Sequence, residues 1–144
     1  MVSRPSFSAN EPILRAGVSL EAVRAALPLV DPEAVLIRQA GLLMRRTWAP
    51  GIFAVTLPWG VYAHPRVMWW WTSATHDDDL VELIIHELVH IQQLRSNGTA
   101  THAFRYARDY LSGRSKGKTH QEAYVGIPAE VEARALAHEI VTRG

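Results

Sequence analysis

The segment from Asp77 to Asn97 constrains the fold more than any other part of the chain. Three aspartates at positions 77–79 place negative charge where a helix begins, and Asn97-Gly98 is typical of a helix end. Between these ends, apolar residues recur at helical spacing, at Leu80, Val81, Ile84, Ile85, Leu88, Val89 and Leu94. The pattern predicts a long helix with a wide apolar stripe that must pack against the rest of the chain.

Residues 86–90, in the middle of this predicted helix, are His-Glu-Leu-Val-His. On a helix the side chains at i and i+4 lie on one face about a turn apart, so both imidazoles can bind one ion. The alternative is a structural helix whose histidines make ordinary hydrogen bonds. That helix would bury two histidines and a glutamate in an apolar segment, where polar groups need partners. The motif therefore predicts a metal site on His86 and His90.

The composition restricts the kind of metal site. The chain has no cysteine, which excludes a thiolate site and a disulfide framework and leaves His, Asp and Glu as ligands. These donors suit zinc, and a catalytic zinc keeps one coordination position open for water. Glu87 lies beside the two histidines and is predicted to take the proton of that water as a general base.

A third ligand must come from another part of the chain. If the metzincin pattern applied, glycine and histidine would stand where the chain has Gln93 and Ser96. That pattern is therefore excluded, and peptide deformylases are excluded because they add a cysteine ligand. A glutamate downstream of the motif remains.

The last predicted helix, from Pro128 to Thr142, offers two glutamates. Glu130 and Glu132 stand about 200° apart around a helix axis, so at most one of them can face the metal helix. Glu130 shares its face with two alanines, which permit close helix packing, and we predict it as the third ligand. Replacement ligands remain open, and they are Glu132, Glu122 and His120.

These motifs resemble those of the gluzincins, zinc metallopeptidases with H-E-x-x-H on one helix and a glutamate ligand on a later one. The resemblance also extends to short bacterial and phage-associated metallopeptidase-like domains, and it covers roughly residues 60–140. It rests on the segments HELVHIQQ at 86–93 and EAYVGIPAEVEAR at 122–134. It implies a zincin-like fold and a zinc-dependent endopeptidase that acts on a peptide or protein substrate.

The resemblance also implies roles around the metal. The strand that forms the rim of the cleft would be Arg66 to Thr72, with its three consecutive tryptophans, and Tyr124 or His120 would stabilise the tetrahedral intermediate. In membrane metallopeptidases of the prenyl-protein-processing type, the ligand glutamate opens a Glu-x-x-Ala-Asp stretch, which favours Glu130. This chain departs from that pattern with Arg134 in place of the aspartate, and ligand histidines usually donate their other N–H to a carboxylate or carbonyl.

The remaining pattern predicts an α+β fold. Ser19 caps a predicted helix that begins at Leu20, and a second helix is predicted to start after Asp31-Pro32 and to run toward Gln39. Short β-rich runs separated by turn dipeptides, from Leu42 to Thr72, predict a small antiparallel β-meander packed on the active-site helix. Further helices are predicted at the C-terminal end, the first of them over 101–111.

Length and composition predict one domain. With 144 residues and 48% hydrophobic side chains, we expect an irregular N-terminal arm over residues 1–18 and a single domain over 19–144. The chain shows no apolar signal-peptide region and no apolar run of about 18 residues, which predicts a soluble, cytoplasmic protein. The net charge of +1 provides no long-range attraction, so neither a membrane nor nucleic acid is expected as a partner.

Two alternatives to a simple endopeptidase remain at this point. The first is a catalytically silent module, stabilised by zinc, that binds peptides or acts as a holdase. The second is a protease recruited to DNA through the basic stretch from Arg105 to Lys118, although a solvated charged helix face explains that stretch without a ligand.

Overall fold

The computed structural model describes residues 6–48, 52–72 and 78–143 of the chain. These residues form an α+β fold of eight helices and one small sheet. In chain order, the elements are β1 (Ser6–Ser8), α1 (Asn10–Arg15), α2 (Leu20–Ala26), β2 (Leu36–Gln39), α3 (Leu42–Arg46), β3 (Ala54–Leu57), β4 (Gly60–Ala63), α4 (Pro65–Thr72), α5 (Asp78–Asn97), α6 (Thr99–Ser115), α7 (His120–Val125) and α8 (Pro128–Arg143). The prediction of an α+β chain is confirmed.

The sheet has four strands in the order β1-β2-β4-β3. β1 runs antiparallel to β2, β2 runs parallel to β4, and β3 and β4 form an antiparallel hairpin. The sheet is therefore mixed, and the predicted antiparallel meander is correct only for its β3–β4 part. β3 lies at the edge of the sheet, and this edge proves to border the candidate site.

Two segments assigned to the meander are helices instead. Leu42–Arg46 forms α3, and Pro65–Thr72, predicted as a strand at the rim of the cleft, forms α4. Pro65 suits the first turn of a helix, where its missing N–H removes no hydrogen bond. Val67, Met68 and Trp71 are buried, and this spacing is that of a helix face. The consecutive tryptophans favour a strand locally, but burial at i, i+1 and i+4 requires a helix.

In the segment that ends at Gln39, the reverse difference is found: a strand replaces a predicted helix. Residues 36–39 form β2, although a helix was predicted there. The burial pattern explains the result, because Val35 and Ile37 are buried while Leu36 between them is exposed. Alternation of this kind has the period of a strand.

The prediction of an irregular arm is wrong for residues 6–15, which form β1 and α1. Phe7 and Ile13 are part of the same hydrophobic core as α5, and the Phe7 ring packs edge-on against Trp71 at 6.4 Å between centroids. Two short elements fix the segment because each buries an apolar side chain. Residues 1–5 lie outside the described part of the chain.

Helix α5 is the centre of the molecule. It contacts α1, α4, α6, α8 and strand β3, and five of its side chains are completely buried, namely Ile84, Ile85, Leu88, Val89 and Ile91. The predicted long helix is confirmed, with its end at Asn97. None of the described helices is long and apolar enough to cross a bilayer.

Candidate metal centre

The three predicted ligands meet where α8 crosses α5. The Nε2 of His86 lies 2.9 Å from Oε2 of Glu130, and the Nε2 of His90 lies 3.1 Å from Oε1 of the same carboxylate. The two Nε2 atoms are 3.1 Å apart. Ligand atoms from all three residues lie within 4.8 Å of one another, so this group could hold a metal ion.

Gln93 determines how His90 presents its ring to this group. The side-chain amide of Gln93 donates from Nε2 to the carbonyl of Ala129 and to Oε1 of Glu132, both at 3.0 Å. Its Oε1 is therefore the atom that accepts from His90 Nδ1, at 2.8 Å. In the neutral tautomer with its proton on Nδ1, His90 presents the lone pair of Nε2 to the ion that this group could hold.

Tyr106 of α6 supports the carboxylate ligand. Glu130 is only 3% exposed, and the Tyr106 hydroxyl donates to its Oε1 at 2.9 Å. Burial and the charge of Glu130 raise the pKa of Tyr106, so that its hydroxyl stays protonated and remains a donor. Neither Tyr106 nor Gln93 was predicted as a ligand or as a catalytic residue.

The electrostatics of the group favour a positive charge. Burial alone would raise the pKa of Glu130, but its hydrogen bonds with His86 and His90 outweigh burial and hold this pKa well below the usual range. Burial likewise opposes the charged form of His90, while the hydrogen bond with Glu130 and the charges of Glu87 and Glu130 raise its pKa to about 9. Two carboxylates beside two imidazoles therefore form a site that stabilises a cation.

Glu87, the predicted general base, is held by the sheet. Thr56 of β3 donates from its hydroxyl to Oε2 of Glu87 at 2.5 Å. Thr56 is directly opposite Val61 in the hairpin, and Val61 is buried on the face that packs on the helices. The Thr56 side chain therefore points toward α5, where it orients the carboxylate.

A cleft of about 340 Å³ opens beside these residues. Its floor includes Glu87, His90 and Glu130, and Tyr124 also lines it. One wall is the edge strand β3 with the preceding Ile52, and the opposite wall is α6, where Ala103 and Ala107 leave room. Arg66–Thr72, predicted as the strand at the rim of the cleft, is helical, and the strand that borders this cleft is β3.

The three alternative ligands have partners outside the metal group. Glu132 is bound to Gln93, one layer behind the metal group. Glu122 forms a capping box with Thr119 at the start of α7, and His120 Nδ1 pairs with the Tyr110 hydroxyl at 2.8 Å. Among the described His, Cys, Asp and Glu residues, His86, His90 and Glu130 are the group with metal-binding geometry.

Tyr124 and His120 were both predicted as candidates to stabilise the tetrahedral intermediate. Tyr124 lines the cleft beside Tyr106 and Glu130, whereas the Nδ1 of His120 is engaged by Tyr110. Burial and the negative charges of Glu130 and Glu87 raise the pKa of Tyr124, so its hydroxyl is a donor. The geometry favours Tyr124 of the two, and its role stays a prediction.

The basic stretch on α6 is partly engaged within the chain. Arg108 pairs with Asp109 at 3.2 Å, and Arg114 donates to the carbonyl of Lys118 at 3.0 Å.

Comparison of the chain with protein-family models, with curated proteins and with solved structures gives no match.

Proposed function

We propose that this chain is a zinc-dependent endopeptidase. The observation that carries the proposal is the convergence of His86, His90 and Glu130 beside a cleft that Glu87, His90 and Glu130 line. Two imidazoles and one carboxylate are a ligand set that catalytic zinc uses, with a fourth position left for water. Gln93 and Tyr106, which fix the orientation of a histidine and of the carboxylate, support the assignment.

The metal ligands, Glu87 and Tyr124 have distinct roles in this proposal. Zinc held by the three ligands would polarise the substrate carbonyl and activate a water nucleophile. Glu87, oriented by Thr56, takes a proton during attack and transfers it to the leaving amine. The neutral Tyr124 hydroxyl donates a hydrogen bond to the oxygen that becomes negatively charged.

The free edge of β3 suits an extended peptide substrate. β3 pairs with β4 on one side, and no other strand of the described residues pairs with its outer edge. Unpaired backbone groups at a sheet edge bind an added strand through main-chain hydrogen bonds. A peptide bound along Ala54–Leu57 would pass over Glu87, because Thr56 in the same strand contacts that carboxylate.

The first test is zinc binding. Wild-type protein purified without chelator should contain near-stoichiometric zinc, and Glu130→Ala should lose most of it. Glu139→Ala, an exposed position on the same helix, is the matched control and should retain zinc. A wild-type protein that neither contains nor takes up zinc would exclude the metallopeptidase proposal.

The second test separates an enzyme from a silent module. Glu87→Gln should retain zinc and lose roughly 10²- to 10⁴-fold in the hydrolysis of fluorescently labelled casein. Zinc and casein binding without hydrolysis by wild type would identify the zinc-stabilised binding module instead. Equal rates for wild type and Glu87→Gln would remove Glu87 as the base.

A DNA-recruited protease is less well supported, because Arg108 and Arg114 are engaged within the chain. Steep salt dependence of DNA binding would favour that variant of the proposal. Charge reversal at Arg114 and Lys116 that left such binding unchanged would exclude it.

A further inference from the structure

The positive and negative side chains are unevenly distributed along the chain. Residues 34–76 contain four arginines, at positions 38, 45, 46 and 66, and neither aspartate, glutamate nor lysine. This segment therefore carries +4, and the remainder of the chain carries −3 to give the net charge of +1. The segment includes β2, α3, β3, β4 and α4, so the positive charge is concentrated around the sheet.

One face of the sheet is not covered by a buried layer of the residues that the structure describes. Ile37 and Val61 are opposite each other in the β2–β4 register and are buried against the helices. The neighbouring row, Arg38, Tyr62 and Val55, therefore points to the other side. All three of these side chains are partly exposed.

Aromatic and basic side chains on this outer face are hydrogen-bonded to one another. The Tyr62 hydroxyl accepts from Arg38 at 3.3 Å and from the Trp59 indole N–H at 3.1 Å. These hydrogen bonds lower the pKa of Tyr62. Trp59 is nevertheless 61% exposed, so a large apolar surface is presented beside a positive charge.

Helix α3 extends this face. Arg45 lies 3.5 Å from Nε2 of His64, and the His64 ring is 6.0 Å from that of Phe53, which is 54% exposed. The Nε of Arg45 is buried without a hydrogen-bond partner among the described residues. On the same short helix, Leu43 is 79% exposed.

Three described carboxylates from segments next to the sheet have partners away from this face. Asp31 and Glu33, just before β2, pair with Arg24. Glu87 lies on the opposite side of the sheet, where Thr56 binds it. The positive charge of the face is thus not neutralised by these groups, and it is complementary to an anionic partner.

We propose that this basic-aromatic face binds the surface of an anionic lipid bilayer. The face comprises Leu36, Arg38, Phe53, Trp59 and Tyr62 of the sheet with Leu42, Leu43, Arg45 and Arg46 of α3. Tryptophan, tyrosine and arginine suit the headgroup region, while exposed leucine and phenylalanine gain by entering the acyl boundary. Bases of a nucleic acid would stack on the aromatic rings but gain little from Leu42 and Leu43. The exposed leucines therefore favour lipid.

This proposal does not depend on the metal site. The expectation that the chain has no membrane partner was drawn from the net charge, which averages over the two oppositely charged parts. Ile52, next to Phe53, lines the cleft. Binding through this face would therefore hold the cleft near the bilayer surface.

The test is co-sedimentation of the full chain with vesicles. Vesicles of phosphatidylglycerol and phosphatidylcholine in equal parts should bind the protein, and phosphatidylcholine alone should bind it much more weakly. Arg46→Glu changes the charge by two units and should weaken binding about 30-fold, because each unit of charge near an anionic surface contributes about 1 kcal/mol, which is about fivefold. Leu43→Ser should weaken binding about tenfold through loss of an inserted apolar side chain.

Matched controls lie on α6 and its C-terminal cap. Lys116→Glu makes the same charge change and Leu111→Ser the same apolar change at a residue that is 63% exposed; both should bind within about twofold of wild type. Equal losses from these controls would show a nonspecific charge effect and overturn the proposal. So would the absence of binding to either vesicle, or binding of a single-stranded oligothymidylate without binding of the anionic vesicles.

Discussion

Replacement of Gln93 by alanine removes a side chain that joins three groups at once. The Gln93 amide is 6% exposed; it accepts from His90 Nδ1 at 2.8 Å and donates to the Ala129 carbonyl and to Glu132 at 3.0 Å each. Alanine would leave the His90 N–H and the Ala129 carbonyl without these partners. We therefore expect an effect on stability and a separate effect on metal binding.

The two effects have different expected sizes. Loss of a partner that orients a ligand histidine typically weakens metal affinity by about 10- to 100-fold. A buried polar group left without its hydrogen bond costs about 1–3 kcal/mol, so the free energy of unfolding should fall by about 2–4 kcal/mol when the lost packing of the side chain is included. Gln93→Glu should retain part of the affinity, because its carboxylate still accepts from His90.

Gln92→Ala is the matched control. Gln92 is adjacent in the same helix, and its Oε1 accepts from the Leu29 N–H at 2.8 Å, away from the metal group. Zinc affinity is measured by competition with a chromogenic chelator, and stability by urea denaturation of the zinc-free protein. If Gln93→Ala bound zinc within about twofold of Gln92→Ala, the assigned role of the amide would be refuted.

Three further perturbations address the cleft and the ligands. Thr56→Val should lower the rate of casein hydrolysis about 10- to 100-fold by releasing the catalytic carboxylate, with zinc content unchanged; an unchanged rate would contradict this role. Tyr106→Phe should weaken zinc binding about tenfold by removing a donor to Glu130, whereas Tyr110→Phe should not, and chelator competition distinguishes them. Zinc affinity should rise with pH from 6.5 to 8.5, because the raised pKa of His90 makes a proton compete with the ion; a constant affinity over this range would be the contrary result.

Local sequence patterns were sufficient to predict helices α5 and α2. The charge and capping signals around α5 and α2 correctly located a helix that ends at Asn97 and one that begins after Ser19, whose hydroxyl accepts from the Ala22 N–H. Helical geometry separated Glu130 from Glu132, and the structure places the first in the metal group and the second behind it. The two helices were predicted correctly because spacing along a helix determines which side chains share a face; the role of Glu130 as a ligand stays a prediction.

Short segments required tertiary information. The tryptophan run of α4 favours a strand locally, yet Met68 and Trp71 are buried together by packing that only the helix permits. Tyr106 reaches Glu130 from a different helix, so no spacing in the sequence could identify it. Gln93 had a local signal, because it stands three residues after His90 on the same helix and thus on a neighbouring position of the same face.

Because Glu130 lies in the interface of α5 and α8, an ion bound by the metal group would also stabilise the folded chain. The Glu130 carboxylate is buried where α8 contacts α5, and Ala133 and Ala137 of α8 and Leu88 of α5 are buried as well. A ligand that binds only the folded chain at about 1,000 times its dissociation constant adds about 4 kcal/mol to the free energy of unfolding. Because His90 and Glu130 come from distant parts of the chain, an ion bound by both acts as a reversible cross-link. Zinc supply would then control how much of the protein survives proteolysis, in addition to any role in turnover.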